Sequence, residues 1–146
     1  MEKAVHFRKA GIEDLHAVFG FISHLEENTF DFEKFRERFN ENLENPNCIY
    51  LVAISDKGEC IGFISCHQQN LLHHENPVFE IQEMYVAKNH RNTGIGKELI
   101  SALGEEIKEY AAANLEVTTN INRPDARRFY LKQGFVQTHV KLVKII

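Results

Sequence analysis

The strongest constraint on this chain is a change of rhythm between residues 79 and 111. Phe79-Glu80-Ile81-Gln82-Glu83-Met84-Tyr85-Val86 alternates with period two, as a strand does. It runs at once into Lys88-Asn89-His90-Arg91-Asn92-Thr93-Gly94-Ile95-Gly96-Lys97, a basic turn with two glycines. Beyond it Ile95, Leu99, Ile100, Leu103, Ile107 and Ala111 recur at helical spacing. A helix entered this way points the free N–H groups of its first turn outward, with the positive end of its dipole behind them. The two glycines allow the backbone to come close to a ligand, and Lys88, Arg91 and Lys97 add full positive charges. The segment reads as a phosphate cradle. It is not a Walker A loop, which needs glycine at 91 and Ser or Thr at 98, where Arg91 and Glu98 stand. Nor is it a dinucleotide fingerprint, whose third glycine falls on Leu99.

Around this centre the pattern predicts an opening strand at Val5–Arg8 and a helix on Leu15, Val18, Phe19, Ile22 and Leu25. A second helix follows on Phe32, Phe35, Phe39 and Leu43, capped by Asp31. Ile49–Ile54 and Cys60–Cys66 flank Asp56-Lys57-Gly58 and read as a hairpin, and a polar, histidine-rich stretch covers 67–76. Leu115–Thr119 is a further strand. Asn122 opens a last helix with Pro124 in its first turn, Gly134 closes it, and Phe135–Ile145 is a final extended stretch.

Two segments carry a family resemblance. Arg91-Asn92-Thr93-Gly94-Ile95-Gly96 matches the R/Q-x-x-G-x-G/A motif of the GNAT superfamily of acyl-CoA N-acyltransferases. Asn122, Ala126, Phe129-Tyr130, Lys132 and Gly134-Phe135 match its second hallmark, in the expected order. The resemblance implies an α/β (α+β) fold over residues 1–146 as one domain: a mixed, mostly antiparallel sheet of about six to seven strands, splayed between strands 4 and 5 and flanked by about four helices. It also implies acetyl-CoA as co-substrate, its thioester arm along Met84, Tyr85 and Val86, its pyrophosphate on Arg91 to Lys97, and Asn122 both capping its helix and touching CoA. Phe35-Arg36, Phe39-Asn40, Leu72-His73-His74, Glu80-Ile81-Gln82-Glu83, Arg128-Phe129-Tyr130-Leu131 and Gln137-Thr138-His139 further resemble the aminoalkylphosphonate N-acetyltransferases.

Acetyl transfer to an amine needs a proton acceptor, and an alkyl ammonium has a pKa of about 10, like Lys. Glu80 and Glu83 are candidates on one strand; an odd separation puts them on opposite faces, so only one meets substrate. Glu80 shares the parity of Met84 and Val86 and leads. A bulge in the strand would flip the parity and promote Glu83. Tyr130 is the candidate for protonating the departing thiolate. Arg36, His73 and His74 are candidates for an anionic substrate group, and the histidine cluster with Glu75 leaves a divalent metal open without calling for one.

The remaining expectations come from composition. Seventeen Lys and Arg against 21 Asp and Glu give a net charge of −4, which argues against a nucleic-acid or membrane-coating protein. No run approaches the roughly 18 apolar residues of a membrane span, and the start Met1-Glu2-Lys3-Ala4-Val5-His6 lacks an apolar leader. Cys48, Cys60 and Cys66 have no metal-type spacing and read as reduced core thiols. A cytoplasmic enzyme is expected, and by resemblance a homodimer. The alternatives are a GNAT enzyme acting on another amine (polyamine, amino acid or protein N-terminus) and a non-catalytic acyl-CoA sensor.

Overall fold

Four strands, β1 (His6–Lys9), β2 (Cys48–Ile54), β3 (Cys60–Gln69) and β4 (Val78–Val86), form an antiparallel meander in the computed structural model, which describes residues 4–146. The leaderless start expected at Met1–Lys3 lies outside the described residues. A fifth strand, β5 (Asn114–Val117), adds parallel to β4 after a helical crossover, giving the order β1-β2-β3-β4-β5. The four helices are α1 (Leu15–Glu26), α2 (Phe32–Glu44), α3 (Ile95–Ile107) and α4 (Pro124–Lys132).

Five strands form rather than six or seven. The difference is the C-terminal stretch from Phe135: it is extended in sequence character but pairs with no strand of its own chain. The hairpin turn forms as its sequence requires, with Gly58 at φ +82°. Asp31 caps α2 by accepting from the Lys34 N–H at 2.9 Å.

The sheet has an apolar layer on each face. On one, Ile95, Leu99, Leu103 and Ile107 of α3 and Tyr130 of α4 pack on Leu51, Ala53, Ile64, Cys66, Phe79 and Ile81. On the other, Leu15, Val18 and Ile22 of α1 and Phe39 of α2 pack on Val52 and Phe63. The start of α1 is tied to β1 by the buried Asp14 carboxylate, which accepts from both Arg8 terminal nitrogens at 2.8 and 3.0 Å and from the Gly11 N–H at 2.8 Å. Its far end is tied across 98 residues, where Arg123 Nη2 donates to the Leu25 carbonyl at 2.6 Å.

Candidate active site

β4 and β5 run together for only four residue pairs, from Val78 and Asn114 to Ile81 and Val117. β4 then continues to Val86 with its partner gone, so a gap opens along residues 82–86. The Ala87 N–H donates to the Ile61 carbonyl at 2.8 Å, toward β3. Alternation along the ladder therefore turns the N–H and C=O groups of Met84 and Val86 toward the gap. The mouth is closed by Arg91, whose Nε donates to the Val86 carbonyl at 2.9 Å while its guanidinium lies 5.0 Å above the Tyr85 ring. Tyr85 is stacked in turn on Phe21 of α1 at 5.1 Å.

The glycine turn reaches α3 through two left-handed residues, Asn92 at φ +62° and Gly94 at φ +88°. Gly94 is the N-cap and has nothing within 4 Å of where a Cβ would stand, so its conformation is what demands glycine. Gly96 has a different reason. A Cβ there would lie 3.1 Å from the Phe129 ring and 3.6 Å from the Met84 methyl, so α3, α4 and β4 meet on its bare backbone. The first-turn N–H groups of α3 and the exposed Lys97 face outward at the end of the gap. Thr93 holds the turn by donating to the His90 carbonyl.

The two strand carboxylates are not on opposite faces. Ser65 pairs with Glu83 and Cys66 with Ile81, leaving Gln82 as the extra residue of a β-bulge. Ile81 and Met84, three apart, thus both join the α3 layer. Glu80, opposite His67, and Glu83, opposite Ser65, both turn to the face of α1 and α2. The parity that linked Glu80 to Met84 and Val86 is broken between them.

On that face lies a cavity of about 210 Å³. α1 contributes Val18 and Ile22; α2 contributes Phe35, Arg38, Phe39 and Asn42; the sheet contributes Tyr50, Phe63, His67, Gln82 and Glu83. Glu83 is pinned from below: the fully buried Ser65 hydroxyl donates to its carboxylate, and the Glu83 N–H donates to the same oxygen at 2.9 Å. Asn42 donates to the Tyr50 phenol oxygen at 2.7 Å, and burial pushes the Tyr50 pKa up to about 12. His67 stacks on Tyr50 at 6.4 Å. Glu80 is outside the lining and is engaged by Gln82, whose Nε2 donates to it at 2.9 Å.

Several expected residues are elsewhere. Arg36 is outside the cavity lining and pairs with Glu33 at 2.8 Å. His73 and His74 lie against each other at 4.5 Å in the β3–β4 connection, outside the lining. Among the described residues no group of three His, Cys, Asp or Glu side chains is arranged to hold a metal. Asn122 does not cap α4: Arg123 occupies the N-cap position without a side-chain hydrogen bond, and the Asn122 N–H is taken by the Asn120 side chain at 2.8 Å. Tyr130 is 8% exposed, packed edge-on against Phe129 and Phe135, with its pKa pushed up to about 12 by burial.

The polar residues missed in sequence are Arg38 and Tyr50 of the cavity lining and Ser65, which holds Glu83. Helical spacing does not single out Arg38: Arg36 and Arg38 flank the Phe35–Phe39 stripe on opposite sides, each about 60° from one phenylalanine and about 100° from the other, so only the structure separates them.

A gap beside a splayed strand, ending on a basic helix N-terminus and backed by a cavity that holds one carboxylate, Glu83, is the geometry of a two-substrate transfer site. The model of the acetyltransferase (GNAT) family matches residues 12–135. The chain belongs to the GNAT acetyltransferase family. It is accordingly an N-acetyltransferase whose co-substrate is acetyl-CoA. Over 139 residues, 95% of this chain and 90% of the relative, this GNAT member is 40% identical to the aminoalkylphosphonate N-acetyltransferase of Salmonella typhimurium. Its fold is similar to that of an aminoglycoside N-acetyltransferase solved in complex with CoA (TM-score 0.88, 17% identity, covering 100% of this chain and 97% of that one). It is also similar to the ribosomal-protein-alanine N-acetyltransferase of Brucella melitensis (TM-score 0.81, 19% identity, covering 98% and 99%). At these identities the structural likeness speaks to the fold alone.

Proposed function

We propose that this enzyme acetylates the primary amine of a small anionic acceptor, an aminoalkylphosphonate such as 2-aminoethylphosphonate. The observation that carries the reading is the 40% identity, over 95% of the chain, to the Salmonella enzyme of that name. The cavity supports it. Arg38, exposed and beside Glu41 at 3.9 Å, lines it together with His67 and the Tyr50 phenol, donors suited to a phosphonate, while Glu83 lies on the strand that borders the gap.

In this reading acetyl-CoA lies along Met84 to Val86, with its pyrophosphate on Arg91 to Lys97. The ammonium must lose a proton before it attacks, and Glu83 takes that proton, directly or through water, because it alone of the two strand carboxylates lines the cavity. A gap-side N–H of β4 polarises the thioester carbonyl. The amine nitrogen bonds to the carbonyl carbon, the C–S bond breaks, and the electron pair leaves on sulfur. A phenol whose pKa burial has pushed to about 12 does not hand its proton to a thiol of about 8.5, so Tyr130 steadies the thiolate by donating a hydrogen bond. Protonation of the sulfur from solvent completes the balance. We place the enzyme, as one domain, in the cytoplasm: Cys48, Cys60 and Cys66 are all free, and no helix among the described residues is long and apolar enough to cross a membrane.

The test is thiol release from acetyl-CoA with 2-aminoethylphosphonate, polyamines, amino acids and an amine of equal length without the anion. The phosphonate is expected to give the highest kcat/KM. Faster turnover of the uncharged analogue would overturn the substrate assignment, and acetyl-CoA binding without turnover of any amine would favour an acyl-CoA sensor.

A further inference from the structure

The gap along residues 82–86 has a helix on each face. On one, the last turns of α1 lie over it: Phe21 stacks on Tyr85 at 5.1 Å, and His24 lies parallel to the same ring at 6.3 Å. On the other, α4 lies over it, for the Phe129 ring and the Met84 methyl both close on the bare backbone of Gly96. α1 and α4 belong to opposite layers of the sheet, so a bond between them has to pass the plane of the strands. Arg123, the N-cap residue of α4, makes that bond in the stretch where β5 has ended. Its Nη2 donates to the Leu25 carbonyl at 2.6 Å and stands 3.6 Å from the Glu26 carboxylate.

The attachment is matched to its anchor. The last four carbonyls of a helix have no partner inside it. At the end of α1 those of Ser23 and His24 accept from the Asn28 N–H at 3.1 Å and the Glu27 N–H at 3.3 Å. The Leu25 carbonyl is left for the guanidinium, which meets an orphan acceptor, the negative end of the helix dipole and a carboxylate in one place.

We infer that the Arg123–Leu25 tie closes the gap from an open slot into a ring, bounded by β4, α1, the tie and α4, and that Arg123 is thereby a positioning residue for acetyl transfer. One mouth of the ring lies on the face of α3 and the glycine turn, the other on the face of the Glu83 cavity. Thioester and amine meet inside it, and its width sets how much water comes with them. The inference rests on the reading that the thioester arm occupies the gap, and it is independent of which amine is acetylated.

Product analysis of Arg123→Met, with the amine that the wild type turns over fastest, tests it. Without the tie the gap opens at its outer side and water competes with the amine. The water oxygen bonds to the carbonyl carbon, the C–S bond breaks with its electron pair on sulfur, one proton goes to the thiolate and the other to solvent, and acetate and free thiol leave. The wild type is expected to release one thiol per acetylated amine. Arg123→Met is expected to acetylate the amine with a kcat about 10–100-fold lower and to release thiol in excess, matched by acetate. Arg123→Lys, which keeps the charge and a donor, should recover part of the coupling. Equal thiol and acetylated amine in Arg123→Met, whatever its Tm or KM, overturns the proposal, because neither a structural role nor a charge that attracts substrate predicts acetate. If Arg123→Met does not fold, Arg123→Gln, polar but shorter, is read in the same way. Hydrogen exchange separates the premise from the inference: acetyl-CoA is expected to slow the Met84 and Val86 amides of the wild type. No slowing there overturns the gap reading and the tie together, whereas slowing with fully coupled turnover in the variant overturns the tie alone.

Discussion

The Ser65 hydroxyl and Glu83 hold each other at two points, the hydroxyl donating to the carboxylate and the Glu83 N–H donating to the hydroxyl oxygen at 2.9 Å. Ser65 has no exposed surface. Its job is positional, and it sits at the bulge that turns Glu83 to the cavity. Ser65→Ala leaves the half-buried Glu83 N–H without its partner, so stability should fall by about 1 kcal/mol in urea unfolding. If the pin also orients the base, kcat should drop with little change in KM, and Ser65→Thr should restore part of it. An unchanged kcat in Ser65→Ala would leave the pair a purely structural one.

Glu83→Gln keeps the shape but cannot accept a proton, so kcat/KM near neutral pH should fall by about 10²–10⁴-fold. Activity should recover in part at alkaline pH, where the amine deprotonates unaided. Glu80→Gln should stay within a few-fold of wild type, since Glu80 is outside the cavity lining. A reversal of the two profiles would return the role to Glu80.

Tyr130→Phe should lower kcat while leaving acetyl-CoA affinity nearly unchanged, the mark of an interaction felt in the transition state. With its pKa pushed to about 12, Tyr130 stays protonated throughout the working range, so the alkaline limb of the rate profile should survive the substitution. Loss of that limb in Tyr130→Phe would show a titrating acid instead of a hydrogen-bond donor.

Burial raises Cys60 to about 11, and Cys66, Tyr50 and Tyr130 to about 12. In the unfolded chain thiols ionise near about 8.5 and phenols near about 10. The unfolded state therefore releases protons first, and the stability these groups contribute, complete below the unfolded values, is lost as pH climbs toward 11–12. Thermal melts should show Tm steady to about pH 8 and falling above it. A flat Tm to about pH 10.5 would contradict the burial of these groups.

Gly94 and Gly96 separate cradle from core. Gly94→Ala meets no neighbour but must hold φ +88°, at a cost of about 1–2 kcal/mol, and should weaken acetyl-CoA binding with a modest fall in Tm. Gly96→Val drives side-chain atoms into Phe129 and should lose Tm and affinity together. Calorimetry and melting curves distinguish them.

Arg38→Ala should raise KM for 2-aminoethylphosphonate by about tenfold, the loss of one charge-assisted hydrogen bond, and spare an amine without the anion. Arg36→Ala should change neither, as Arg36 is outside the cavity lining.

Period and punctuation made most of the fold legible. α3 was readable because Ile95, Leu99, Leu103 and Ile107 are all buried at helical spacing, and the β2–β3 turn because Gly58 takes the left-handed conformation its motif demands. The bulge was not: Gln82 looks like any polar strand residue, and only its pairing with β3 reveals that it is extra. One uncounted residue was enough to misplace Glu80 relative to Glu83. Asn122 was read as a cap from its type, but the Asn120 side chain claims its N–H and the helix starts two residues later. Phe135–Ile145 has the residues of a strand, and pairing, which needs a partner, is not a property of residues alone.

The parallel seam between β4 and β5 also sets an order of assembly. Five residues join β2 to β3 and eight join β3 to β4, whereas 27 separate β4 from β5, a connection exceeded only by the 38 residues between β1 and β2. Pairing that spans a longer loop carries a larger closure entropy and forms more slowly. The gap along Met84 to Val86 acquires its second wall only when β5 docks, so competence to bind acetyl-CoA should return after the β2–β3 and β3–β4 hairpins have formed. In this enzyme, recovery of ligand binding is a clock for the docking of β5.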